Sequence, residues 1–276
     1  MRKINQIFQY TLIIISIFFI IYIFYQKNLF NIHNKFIQEY RSHRVIVDTK
    51  KKISLVDRNK IRKQLMRQTQ TGLQKQGFIS IPVVGILEPI FDDAYSERGL
   101  RAGANYANRT QLDPDGEQVP VMGKGNYGLA SHNFDDGLTG FSGLQQNYQD
   151  DSPYLVNGKR KKNNWLNNQP IYLANNDGIY EYHIKQQKIV KADDVSVLNP
   201  KQKAQVTIIT CLFPSTSYRI ITIGKLERSY TWRKSPTYII NYFDLTKQKT
   251  NSHVAWYNPG IEEGVNGDAG GTKTVK

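Results

Sequence analysis

The chain has a single cysteine, Cys211, among its 276 residues. An internal disulfide is therefore excluded, and so are the cysteine–histidine clusters that hold structural zinc. Acidic residues are also few: 23 Asp and Glu stand against 37 Lys and Arg, for a formal net charge of +14. The basic excess is uneven. Residues 26–68 hold twelve basic residues and three acidic ones, which is the pattern of a polybasic segment facing an anionic surface. No DNA- or RNA-binding motif accompanies it, so nucleic acid is not an expected partner. Long apolar runs are absent except for one near the N-terminus. Residues 251–276, with five glycines among Glu, Asp, Thr and Lys, read as a low-complexity tail without a second hydrophobic anchor.

The one apolar run, Ile7 to Tyr25, carries no charge over 19 residues. As a helix it would extend roughly 28 Å, close to the thickness of a bilayer's hydrocarbon core. Tyr10, Tyr22 and Tyr25 lie toward its ends, where interfacial rings settle. It exceeds a signal-peptide core, and no small-residue cleavage site follows. Residues 1–25 thus read as a short stub and a transmembrane anchor. Residues 26–76 read as a basic stalk with a helical segment, in which Val56, Ile61, Leu65 and Met66 form a weak apolar stripe.

From Gly77 the pattern turns to short β runs. Phe78 to Leu87 gives two strands around Pro82 and Gly85. Asn126 to Ala130 is a strand that delivers Ser131 and His132. Asn175 to Gly178 marks a hairpin turn between Ile171–Leu173 and the alternating Ile179–Ile184. Val206-Thr-Ile-Ile-Thr210 is an unbroken β-branched run, the composition of a buried strand, and it ends on Cys211. A loop follows, and a second β-branched run opens on Arg219. If these two strands are neighbours, a thiol and a guanidinium share one mouth. That is the arrangement a nucleophile and an oxyanion stabiliser need. Helices are expected to be short, one of them over Pro236–Leu245.

Five histidines are present. His33 and His43 fall in the stalk, His253 in the tail and His183 in an alternating strand. His132 alone follows an apolar strand in the segment leading to the cysteine. Together, Thr207-Ile-Ile-Thr-Cys211, Arg219 eight residues on and the upstream His132 resemble the signature of the sortases, the Gram-positive cysteine transpeptidases. Ile79-Ser-Ile-Pro82, Pro89-Ile-Phe91 and Gly99–Ala104 look like that family's opening strands. The resemblance covers roughly residues 77–226. The short stretch Asp193–Gln205 before the cysteine strand argues against the family class that inserts a long helix there, and the pattern is most like class A.

The resemblance implies a mainly β fold, a closed eight-stranded barrel over residues 77–250 with short helices, preceded by the transmembrane helix. It implies a plasma-membrane protein with its N-terminus inside and its domain outside. Cys211 would attack the Thr carbonyl of a Leu-Pro-x-Thr-Gly-type sorting signal on a surface protein. His132 would act as general acid and then base, and Arg219 would stabilise the oxyanion. An amine of a cell-wall precursor would resolve the thioacyl enzyme. Family-like substrate-binding residues are Ala107, Ala130 and Thr210, joined by Val195, Val197 and Leu198 as a groove wall. No cofactor is implied. Some family members hold calcium in the segment matching Asn105–Leu112, but here it has no carboxylate before Asp113, which argues against calcium dependence. A cysteine hydrolase with the same three residues, or a non-catalytic wall-binding module, are the alternative readings.

Overall fold

The computed structural model describes residues 2–26, 53–134, 137, 139–145, 155–156, 159–160, 166–213, 215, 217–248 and 250–251. Ten strands form: β1 (Gly77–Ile81), β2 (Ile86–Phe91), β3 (Ala104–Tyr106), β4 (Asn126–Ala130), β5 (Leu155–Val156), β6 (Lys159–Arg160), β7 (Pro170–Ala174), β8 (Ile179–Lys191), β9 (Gln205–Cys211) and β10 (Tyr218–Tyr230). Eight of them close a barrel in the order β1-β2-β3-β4-β9-β10-β8-β7, and β7 returns to β1. β5 and β6 pair only with each other. The mainly β, eight-stranded closed barrel expected from the sequence is therefore the observed fold.

Alternation builds the barrel interior. Ile79 and Ile81 of β1, Ile86 and Ile90 of β2, Tyr127 and Leu129 of β4, and Val206 and Ile208 of β9 meet in one buried cluster. Residues one position away in the same strands face outward. Most pairings are antiparallel, but β2–β3 and β4–β9 run parallel. The second parallel pair is the one that matters for function, because it sets the end of β4 beside the end of β9.

The helices are α1 (Arg2–Gln26), α2 (Leu55–Leu65), α3 (Glu97–Ala102) and α4 (Thr237–Asn241). α2 is not a solvated stalk element. Ile61 and Leu65 join Phe78, Tyr172, Trp232, Ile239 and Phe243 in a second apolar cluster on the outside of the β1–β7 wall. Val56 of the expected stripe stays exposed. Arg58 turns inward, where its Nη1 donates to the carbonyl oxygens of Trp232 at 3.0 Å and Ser235 at 2.6 Å. The expected C-terminal helix shortens to the five residues of α4. The domain also runs on to Asn251, whose backbone N–H donates to Leu87 O and whose Nδ2 donates to Gly140 O.

Within α1, the side chains described without a break are those of residues 9–20, and all are exposed. Among the described residues, no helix is long and apolar enough to cross a membrane. The stalk expectation over residues 27–52 and the tail expectation over residues 252–276 lie outside the described residues.

Arg58→Ala would strand two buried carbonyls that now accept from a charged donor. It should cost about 2–3 kcal/mol of stability, and chemical denaturation of the two proteins at one pH measures the difference.

Candidate active site

The thiol and the guanidinium come together through a hydrogen-bonded ladder. β9 and β10 are antiparallel, and their register sets Cys211 directly opposite Arg219. Directly opposed residues project from the same face, with Cβ atoms about 4.5–5.5 Å apart. The face follows from alternation. Val206 and Ile208 point into the barrel, so Ile209 and Cys211 point out. On β10, Ile221 and Ile223 pack in the outer cluster with Ile209, so Arg219 shares their side. Both residues are half-buried, and Arg219 Nη1 donates to the Tyr218 carbonyl at 3.1 Å.

His132 reaches the same end of the barrel by the parallel pairing. Ala130 is level with Ile209, and the Ser131 N–H continues the ladder to Ile209 O at 3.3 Å. Two residues further along each chain, His132 is level with Cys211. Two side chains tie the strand ends together. Thr210 Oγ1 donates to Ser131 O at 3.0 Å, and Asn133 Nδ2 donates to Cys211 O at 3.0 Å. The His132 carbonyl accepts from the Phe141 N–H at 2.8 Å. The Phe141 segment can approach this closely because Gly140 precedes it. A Cβ there would lie 2.4 Å from His132 O, and its φ of 62° suits glycine. The imidazole packs edge-on against Phe134 with centroids 5.2 Å apart, and its Nε2 lies 3.3 Å from Glu97 Oε2. Glu97 also pairs with Arg101 on the same helix, and that contact, ahead of the His132 charge, holds its carboxyl below the usual range.

An apolar strip extends from these three residues along the outer face. Ala107, Ala130, Ile209, Ile221, Val197 and Leu198 form one cluster. Its wall is a single 3-10 turn, Val195–Leu198, held to β4 by Asn126 Nδ2, which donates to the Val197 and Asn199 carbonyls. The wall sits close because β4 has Gly128 beneath it. A Cβ there would be 2.4 Å from Leu198 and 2.6 Å from Ala107 O. Of the six residues read as substrate-binding, four thus share this strip. Val195 lies outside it and is exposed. Thr210 is buried on the inner side, where its hydroxyl serves the Ser131 carbonyl.

Some working residues carried no signal in the sequence. Gln145 clamps the turn after the cysteine, with Nε2 donating to Phe213 O at 2.7 Å and Oε1 accepting from Phe213 N at 2.8 Å and from Asn133. Asn133 adjoins the histidine and could have been suspected for that reason. In the loop between β3 and β4, the Asp113 carboxylate accepts from the N–H groups of Gly116, Glu117 and Gln118, which holds its acidity up. Among the described residues no three acidic, His or Cys groups cluster to hold a metal ion.

Glu88 lies next to Ser131, the residue before the histidine. It is the cross-strand partner of Ile79, so it points into the barrel interior, and it is fully buried. Neither its carboxyl oxygens nor the nearby Ser131 hydroxyl has a well-formed hydrogen bond among the described residues. Burial pushes the carboxyl up to about 8, and the Ser131 hydroxyl works weakly against that rise.

The Sortase domain model matches residues 79–227. Sortase A of Listeria monocytogenes is 29% identical over 154 residues, which cover 55% of this chain and 57% of that protein. The chain therefore spans little more than half the length of this relative. Sortase A of Bacillus anthracis is 30% identical over 182 residues, 64% of this chain and 73% of the relative. A solved structure of the Listeria enzyme aligns over 62% of this chain and 97% of its own at 27% identity, with a TM-score of 0.46.

The buried Glu88 makes stability fall with pH. The folded protein keeps this carboxyl protonated to about 8, whereas the unfolded chain releases the proton near 4.5. Folding therefore binds a proton between those values, and stability is lost as pH rises through that window. Glu88→Gln should flatten the decline, which denaturation midpoints at pH 5, 6.5 and 8 would reveal.

Proposed function

This chain belongs to the sortase family, and from that premise we propose that it is a cysteine transpeptidase acting on Leu-Pro-x-Thr-Gly-type sorting signals. The observation that carries the reading is the meeting of Cys211, Arg219 and His132 at one end of the outer face, where the apolar strip begins. The Cys211 sulfur attacks the Thr carbonyl carbon as its proton passes to His132. The carbonyl oxygen takes up negative charge as the tetrahedral intermediate forms. Arg219 supplies a permanently charged donor for that oxygen. The intermediate collapses by breaking the Thr–Gly bond, and His132 protonates the departing Gly amine. A thioester to Cys211 remains. An amine of a wall precursor then attacks it, His132 takes the amine's proton and passes it to the departing sulfur, and the Cys211 thiol is regenerated as the new amide forms.

The strip formed by Ala107, Ala130, Val197 and Leu198 suits the apolar Leu-Pro half of such a signal. Directly opposed Cys211 and Arg219 leave the reacting carbonyl between sulfur and guanidinium. The Asp113 carboxylate is already engaged by its own loop, and the groove wall is fastened by Asn126. Both features support catalysis that does not wait for calcium to order these loops.

We place the protein at the plasma membrane with the barrel outside, on the strength of the uncharged apolar run of residues 7–25 in the sequence. In α1, Leu12, Ile13, Phe18 and Phe19 are exposed, and lipid would cover them. The protein's partners are surface proteins bearing a C-terminal sorting signal and the amine of a cell-wall precursor.

Incubating the detergent-solubilised chain with a Leu-Pro-x-Thr-Gly peptide and an amine should yield a ligated product, with a thioacyl adduct on Cys211 by mass spectrometry. Cleavage that ignores the amine would establish a hydrolase instead, and the absence of any adduct would leave a wall-binding module. Cys211→Ala should abolish the adduct. Arg219→Ala should slow its formation roughly 10²–10³-fold, as loss of an oxyanion donor does. Chelation with EDTA should leave the ligation rate unchanged.

A further inference from the structure

The histidine has a carboxylate beside it that belongs to none of the three reacting groups. Glu97 Oε2 stands 3.3 Å from His132 Nε2. The backbone that presents it is fixed. Ser96 caps α3 by accepting from the Gly99 N–H at 3.0 Å, and the Asp93 carboxylate accepts from the N–H groups of Tyr95 and Ser96 and from the Ser96 hydroxyl. Asn105 of β3 completes the tie, accepting from Asp93 N and donating to Gly99 O. α3 is thus fastened to the strand next to β4, so the Glu97 carboxylate is carried to the imidazole by rigid elements and not by a free loop.

We propose that Glu97 is a positioning residue that holds the His132 ring and favours its protonated form, opposed by Arg101. The role of that proton in catalysis rests on the transpeptidase reading above. The pairing itself does not. Charges reach the ring from several elements. Glu97 and Arg101 lie on α3, Cys211 on β9 and Arg219 on β10, with the buried Glu88 of β2 behind Ser131. Arg219 and Arg101 work against an imidazolium, whereas Glu97 works for it. A general acid beside a fixed guanidinium is disfavoured in its acid form. Glu97 offsets that field and extends upward the pH range in which His132 can protonate a leaving amine.

The test is a titration of His132 by NMR in the full chain in detergent micelles, labelled at histidine. Glu97→Gln should lower the His132 midpoint by about half a pH unit, the scale of a partly exposed pair. Arg101→Gln should raise it, because the competing cation is removed. Both shifts should shrink in 1 M salt. A rearrangement of structure alone would not give opposite signs. In the ligation assay, the pH limb of kcat/KM governed by His132 should move with the titration in each variant. A midpoint unmoved in Glu97→Gln, or both variants shifting it the same way, overturns the proposal. Opposite shifts in a protein that shows no ligation uphold the pairing and overturn the transpeptidase reading.

Discussion

The antiparallel register that opposes Cys211 to Arg219 is the constraint on which the rest depends. A side-chain period of two means that a slip of one residue would send the thiol into the barrel and leave the guanidinium outside. The register is therefore secured well away from the site. β8 and β10 run together for 13 residues each and take up their irregularities at Ile223/Gly224 and Leu226/Arg228, beyond the reacting end. Val206 and Ile208 anchor the same register by filling the barrel.

The second constraint is that β4 runs parallel to β9. Parallel neighbours end at the same side of a sheet, so a residue just past β4 and one at the end of β9 become neighbours although some eighty positions separate them. The polar groups at this junction serve geometry. Thr210, Asn133 and Gln145 spend their hydrogen bonds on Ser131 O, Cys211 O and Phe213. Each carbonyl so engaged fixes the backbone beside Cys211 or His132. The groove depends on the reverse device, the absence of side chains. Gly128 and Gly140 let a wall and a loop approach β4 and His132 more closely than any other residue would allow.

Much of this was legible in the sequence. The β-branched run before Cys211 could only be a buried strand, and the second run opening on Arg219 fixed the other half of the pair. The closed barrel followed from the same resemblance. β3 was read too early, in the stretch Gly99–Ala104 that is mostly α3, because Ala104-Asn-Tyr106 sits among glycine, alanine and asparagine and has no alternation to show. It is a strand because β2 and β4 pair with it from both sides. Thr210 was read toward the groove from the family resemblance, but alternation turns it inward. Arg58 looked like one more charge in a basic stretch. Its role depends on carbonyls some 175 residues further on, which no local pattern encodes. The contribution of Glu97 is hidden for the same reason, since a carboxylate's influence on an imidazole depends on distances that only the fold creates.

The clasp made by Asn251 has a practical side. This one residue bonds to Leu87 on β2 and to Gly140 under the histidine loop, through backbone and side chain at once. Shortening the protein to the last strand or to α4 would keep every barrel hydrogen bond yet unlace the floor below the imidazole. Soluble versions of this protein should accordingly retain the chain through residue 251, so that the tie between β2 and the loop after His132 is kept.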